Sequence, residues 1–323
     1  MLAAAWKSSL EKKNYLAVVL EANLGILRPV RDRSHQISIG LGLVLAAVLW
    51  GSNNVGLRYL VQQWPPVWTG ASRFLCAGML LTAGLRFTGW LGPTTRLSRG
   101  AQIQLWFRGG FSLAAYIAVC NGSLQYIPSS HFALHLAAAP VWVLIWEGQL
   151  APSRHSFPKM SAALLTFSGV LLLLWPAIRN GQAPWYGEAL GVCAGLLWTW
   201  YTRESQVHVR EMTGIEVTAA TMWRAGVWLL PLAAFELSVR PIHWDLRLLL
   251  IQAYSIVFGG AAAFVLWNRA LKHWPASRVF LFGNLVPVST MVWAFVLLNE
   301  PVTPRLGWAL LLILAGVWLG RRS

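Results

Sequence analysis

Four residues inside apolar runs have types and spacing that suggest chemistry: His131, His135, Arg73 and Arg224. The two histidines are four apart, which puts them on one face of a helix. A metal site needs further ligands, and the sequence offers none that can be placed beside them. Packing, or hydrogen bonding along a pathway, is the reading that remains. An arginine deep in a bilayer costs at least about 2.5 kcal/mol, so it faces a cavity or a partner. For Arg73 and Arg224, pairing with helix-end carbonyls and contact with a cargo's carboxylate or phosphate both stay open. Arg108 and Arg278 lie nearer span ends, where a long side chain can snorkel to the interface. The carboxylates Glu147, Glu188, Glu216, Glu236 and Glu300 all fall near span ends, so no buried acid relay is visible. Neither a P-loop nor an H-E-x-x-H motif occurs, and nothing implies a catalytic residue, metal or cofactor.

A second set could shape a binding site. Trp50, Asn53 and Asn54 cluster in the first apolar run, and Trp198, Trp200 and Tyr201 cluster at the matching depth of the sixth. Tyr254 and Asn268 lie in the eighth run, and Asn284 in the ninth. Most of the 20 tryptophans suit an interfacial belt, among them Trp64, Trp68, Trp90, Trp185 and Trp274. Those inside spans suit an aromatic-walled cavity for flat or amphipathic cargo. Pro140 and Pro287 sit halfway along the fourth and ninth runs. Each removes a donor and frees the carbonyl one turn earlier, on Leu136 and Gly283, which predicts a hinge or a site-lining break.

The elements that must position these residues are membrane helices. The chain has 323 residues, 56% hydrophobic and 11% charged, against roughly 25% charged in soluble domains. Ten spans are predicted: 38–59, 66–87, 103–124, 129–149, 157–176, 186–206, 216–237, 247–268, 276–298 and 304–320. The net charge of +15 comes from Lys and Arg in short loops, without the continuous stripe that nucleic acid would need. Those residues concentrate on the amino-terminal side, while the opposite side holds Arg58, Arg179, Arg240, Arg247 and Arg305. Both termini are therefore expected in the cytoplasm. Cys76, Cys120 and Cys193 all lie in apolar runs, an odd number that makes no disulfide framework.

The chain also repeats itself. At one offset of 147 residues, Pro128, Ser130, Pro140 and Gly169-Val170 fall on Pro275, Ser277, Pro287 and Gly316-Val317. Arg73 and Arg224 correspond at a slightly longer offset. Five spans per copy is odd, so the second copy must thread the membrane in the opposite sense. The expected fold is an all-α membrane protein of ten transmembrane helices, arranged as two inverted five-helix repeats. Gly187, Gly191 and Gly195 recur every four residues and predict a close-packing helix face.

At these residues the chain resembles the EamA-type proteins of the drug/metabolite transporter superfamily. The resemblance rests on Leu49-Trp50-Gly51, on Arg73-Phe74, and on the ending formed by Pro275-Ala276-Ser277, Leu285-Val286-Pro287, Asn299-Glu300-Pro301 and Ala315-Gly316-Val317. It covers residues 37–320. One departure stands out: Ser153 aligns with Glu300, where the family usually has a second glutamate. The resemblance implies a secondary carrier exporting amino acids, related metabolites or drug-like molecules. Residues 37–176 and 177–323 are the expected repeats. Residues 1–36 form a basic cytoplasmic leader, for which disorder and a short interfacial helix are both open.

The resulting expectation is export of small organic metabolites by alternating access, in a cell (inner or plasma) membrane. The partners would be a small-molecule substrate and the lipid bilayer, with no nucleic acid, and a homodimer is compatible. The alternative is a non-transporting multi-span protein, a lipid-handling enzyme or a sensor or scaffold. An enzyme should show carboxylates, histidines or a nucleophile clustered at one interface, and the sequence displays none.

Overall fold

A computed structural model describes residues 33–87, 94–139, 141–142, 157–180 and 184–322. The leader at 1–32, Trp90, Pro140, Glu147 and Ser153 lie outside the described residues. The chain separates after Leu41 into two units, Met1–Leu41 and Gly42–Ser323. Within its described residues the first unit holds only the start of a helix; the second holds the remainder.

The described residues are helical, without strands. In chain order the helices are α1 (Arg33–Gln63), α2 (Pro66–Phe87), α3 (Arg99–Gln104, Leu105–Gly110 and Phe111–Tyr126), α4 (Ser129–Ala137) and α5 (Phe157–Asn180). There follow α6 (Trp185–His208), α7 (Gly214–Val239), α8 (Leu246–Tyr254, Ser255–Ala262 and Ala263–His273), α9 (Ala276–Gly283 and Leu285–Leu298) and α10 (Pro304–Arg322). Prolines punctuate the starts: Pro66 and Pro304 are first residues of helices, and Pro184 and Pro275 precede them. Proline tolerates these positions because the first turn has no use for its missing N–H.

Large apolar side chains point outward, as a lipid-facing surface requires: Phe87, Val239, Trp244 and Leu246 are among the most exposed. Ser34–Gln63, Arg99–Tyr126, Leu246–His273 and Arg278–Leu298 are long and apolar enough to cross a membrane. Met160–Leu172 and Pro304–Gly316 are shorter apolar stretches, and the helices between carry polar groups. Those groups, including Arg73 on α2, Glu188 and Glu204 on α6 and Arg224 on α7, are buried.

Two helix pairs pack through reciprocal glycines. A Cβ on Gly78 of α2 would meet Trp223 of α7, and one on Gly226 of α7 would meet Leu75 of α2. Trp223 and Gly226 stand 148 residues after Leu75 and Gly78, and this packing register sets Arg73 against Thr221, which corrects the expected correspondence of Arg73 with Arg224. Likewise a Cβ on Gly169 of α5 would come 2.9 Å from the Ala309 carbonyl of α10, and one on Gly316 of α10 would come 2.6 Å from the Ala162 carbonyl of α5. Contact of i with j and of j with i is the mark of a two-fold relation. The Gly169–Gly316 coincidence in the sequence is thus a packing requirement.

Neither α3 nor α8 is a regular α-helix. Each contains a π-helical segment, Leu105–Gly110 and Ser255–Ala262, bearing Gly109-Gly110 and Gly259-Gly260. Wider i→i+5 turns of this kind often sit at functional places. The matched Gly-Gly pairs were a legible signal that the sequence reading did not use.

Candidate functional site

The fourth and ninth apolar runs are interrupted at corresponding points. α9 breaks at Asn284, whose N–H bonds back to Leu281 O at 3.3 Å, three residues earlier rather than four. Pro287 causes this, since it has no N–H to give to Gly283. α4 ends at Ala137, and Ala138 N–H reaches His135 O at 3.3 Å in the same manner. Pro140 itself lies outside the described residues.

Beside these breaks lies a small cavity of about 40 Å³. Leu136, Gly283 and Asn284 line it, so both interrupted helices contribute wall. So do Trp50, Asn53 and Asn54 from α1, Arg73 from α2, and Trp198 from α6. Sequence reasoning passed over Tyr116 and Cys120 on α3, Phe264 and Trp267 on α8, and Phe280 on α9. Single apolar residues inside apolar runs carry no signal of what they face.

The cavity's aromatic wall is a set of edge and tilted contacts. Trp50 meets Trp198 at 5.4 Å, Phe264 at 5.3 Å and Trp267 at 5.3 Å between ring centroids, and Trp198 meets Trp267 at 5.5 Å. Trp50 Nε1–H donates to the Gly259 carbonyl at 3.1 Å, using an acceptor within the π segment. Asn53 accepts from Ser255 at 2.7 Å, and Asn54 donates to Thr290 at 3.2 Å. These amides are thus held by neighbouring helices before any ligand arrives.

Arg73 differs. Only 3% of it is exposed, and its Nε and Nη1 find no hydrogen-bond partner among the described residues. Its guanidinium lies 4.6 Å from the Phe74 ring centroid. Trp267 Nε1 and Asn284 Oδ1 are likewise buried without partners among the described residues. Buried polar atoms are normally satisfied, so three unsatisfied groups on one cavity's lining residues are unusual.

The other sequence-predicted residues lie elsewhere. Arg224 is held by structural contacts: it donates to Ala220 O at 2.9 Å and to Gln102 Oε1, and stacks on Trp223 at 4.3 Å. Gly110 and Gly260 of the two π segments approach Arg224 Cβ and Arg73 Nε. Of the two arginines, Arg73 lines the cavity and Arg224 does not. Tyr201 and Asn268 bond to each other at 3.3 Å behind Trp198, and Asn268 also donates to Thr218 at 2.9 Å. Tyr254 hydroxyl pairs with Ser52 at 2.6 Å.

His131 and His135 meet Glu188 instead. His131 Nδ1 is 2.7 Å from Oε1, and His135 Nε2 is 2.6 Å from Oε2. Glu188 lies near a span end, at the start of α6, as expected, but it is buried there because the glycine face lets α4 approach it, which corrects the expectation that no buried acid is present. A Cβ on Gly191 would lie 3.1 Å from His135 Cγ, and one on Gly195 would lie 2.9 Å from His135 O.

Three further expectations change. Arg108 pairs with Glu204 at 3.0 Å rather than simply snorkelling. Trp64 and Trp274 are buried rather than in an interfacial belt, and Trp64 donates to His243 O at 2.8 Å. Glu300 accepts from Ser129 N, Ser129 Oγ, Ser130 N and Ser130 Oγ at 3.0, 2.9, 3.3 and 2.8 Å. It thus caps α4 from the end of α9, where a negative charge also suits the helix dipole.

Comparison with known proteins places these features in a family. The pattern of the EamA-like transporter family matches residues 37–175 and 185–320. An uncharacterized transporter of Archaeoglobus fulgidus is 24% identical over 86% of this chain and 96% of its own length. The uncharacterized inner membrane transporter YedA of Escherichia coli is 26% identical over 80% and 78%. Protein PagO of Salmonella typhimurium is 25% identical over 79% and 84%. One solved crystal structure shares the fold, with a TM-score of 0.60 at 20% identity over 87% of this chain and 96% of that one.

Proposed function

Because this chain belongs to the EamA-like transporter family and is an integral membrane protein, we propose that it is a secondary carrier exporting small organic metabolites that bear a carboxylate. In this reading ten helices cross the membrane, both termini are cytoplasmic, and the two repeats are inverted about an axis in the membrane plane. The reciprocal glycine contacts support that relation, since two-fold packing is what inversion produces.

One observation carries the proposal: the cavity where both repeats meet has aromatic walls and a buried arginine with unpaired donors. A guanidinium offers a fork that matches a carboxylate, and aromatic faces suit a flat apolar body. The interrupted α4 and α9 expose backbone beside the cavity, as broken helices do around carrier sites. Rocking of one repeat against the other would open the site to each side in turn.

Proteoliposomes test this by counterflow of labelled phenylalanine, competed by N-acetylphenylalanine, which keeps the carboxylate, and by phenylalaninamide, which lacks it. Transport should be inhibited by the first and resist the second. Absence of flux for a panel of amino acids, aryl carboxylates and amines would overturn the carrier reading.

A further inference from the structure

We propose that Glu188, His131 and His135 form a proton-binding site that couples a proton to cargo movement; the coupling rests on the carrier reading above, the proton binding does not. The carboxylate bridges two imidazoles, with contacts of 2.7 and 2.6 Å. These lie at or just below the range of about 2.7–2.9 Å typical of charge-assisted bonds. Glu188 is 4% exposed and His135 is fully enclosed, whereas His131 keeps 27% of its side chain accessible. Of the three side chains, His131 is the part-exposed one and the other two are buried. His135 Nδ1 is buried without a partner among the described residues.

With Glu188 ionised and each ring donating one N–H to it, the cluster carries one negative charge. One added proton binds a free imidazole nitrogen and makes the cluster neutral. No other bond changes, and release reverses the step. Histidine suits this because its charge changes near physiological pH. Among the described residues no set of three His, Cys, Asp or Glu side chains is arranged to hold a metal ion.

Among the described residues, the charged and titratable groups on the neighbouring helices are engaged elsewhere. Glu300 is committed to Ser129 and Ser130, and Arg58 donates to Leu124 O. Tyr126 and Tyr186 pack together at 4.8 Å. Tyr116 and Cys120 on α3 line the cavity. The charged groups at the far end of α6 form a separate set, Arg108 with Glu204, with His208 on the last turn of that helix.

The cluster's position gives it leverage on the cavity. It ties α4 to α6, His135 is followed by the lining residue Leu136, and α6 also supplies Trp198. A change of charge at the tie therefore acts on two walls of the binding site. The second repeat has Arg278 and Phe282 where the first has His131 and His135. The site is single and breaks the two-fold relation.

Two measurements test this. With ring-¹⁵N-labelled histidine in purified protein, the signals of two imidazoles should respond together to an added proton, and Glu188→Gln should uncouple them. Rings that hold one protonation state throughout, or that behave identically in Glu188→Gln, overturn the site. In proteoliposomes with an acidic interior and the membrane potential clamped at zero, exchange of one proton for one zwitterionic phenylalanine gives about tenfold accumulation per pH unit. Glu188→Gln and His131→Gln should keep counterflow while accumulation falls to about one. Accumulation that persists in both variants, or counterflow lost in both, overturns the coupling. No counterflow in wild type would indict the carrier reading alone, leaving the resonance experiment to decide the proton site.

Discussion

Replacing Arg73 should move stability and transport in opposite directions. Its guanidinium is buried, and two of its nitrogens lack partners among the described residues. Burying an ion costs several kcal/mol unless it is repaid by a partner and hydrogen bonds. Phe74 repays part, since a desolvated cation–π contact contributes about 2 kcal/mol. The folded empty carrier should therefore carry a net cost at this position, and Arg73→Met, similar in length and apolar, should match or exceed wild type in thermal unfolding. The same change removes the donors proposed to hold a carboxylate. Hydrogen bonds to a charged group contribute about 1.5–3 kcal/mol, so affinity should fall by about 10- to 150-fold. Counterflow of phenylalanine over a concentration series reads this directly. Arg73→Lys keeps the charge but loses the fork, and should fall between the two. The reasoning fails if Arg73→Met unfolds well below wild type while binding cargo normally, because Arg73 would then be a structural strut.

Other expectations are more local. Arg224→Ala should lower thermal stability, because it removes contacts to Ala220, Gln102 and Trp223, and should leave cargo preference unchanged; a selective loss of anionic cargo would refute this. Gly226→Ala should cost about 1–3 kcal/mol through overpacking, since its Cβ would come 2.7 Å from Leu75 N, whereas Gly307→Ala meets open space and should be neutral or better. Unfolding in detergent micelles separates the two. Glu300→Ala strips the cap from Ser129 and Ser130 and should cost about 0.5–2 kcal/mol. Reporter tags should find both ends of the chain in the cytoplasm, and ends on opposite sides would remove the inverted arrangement.

The sequence by itself determined the class of molecule. Runs of apolar residues punctuated by proline permit helices in a lipid environment and little else, because a backbone without water must satisfy its own hydrogen bonds. Pairings such as Pro140 with Pro287 and Gly169 with Gly316 disclosed two copies, since each depends on spacing along the chain alone. Period and spacing are local properties, and a sequence displays them openly.

Partnership is not local, and there the tertiary structure decided. Arg73 and Arg224 look equivalent in the sequence, yet one lines a cavity and the other is occupied by Gln102 and Trp223. Glu188 reads as a residue at a span end until Gly191 brings α4 against α6 and sets His131 and His135 on its two oxygens. Trp64 and Trp267 resemble belt or core tryptophans alike until neighbouring helices surround them. Which face of a helix meets which neighbour is fixed by the close approach that a missing Cβ allows. That approach links residues more than 50 positions apart, beyond the reach of any pattern within one run.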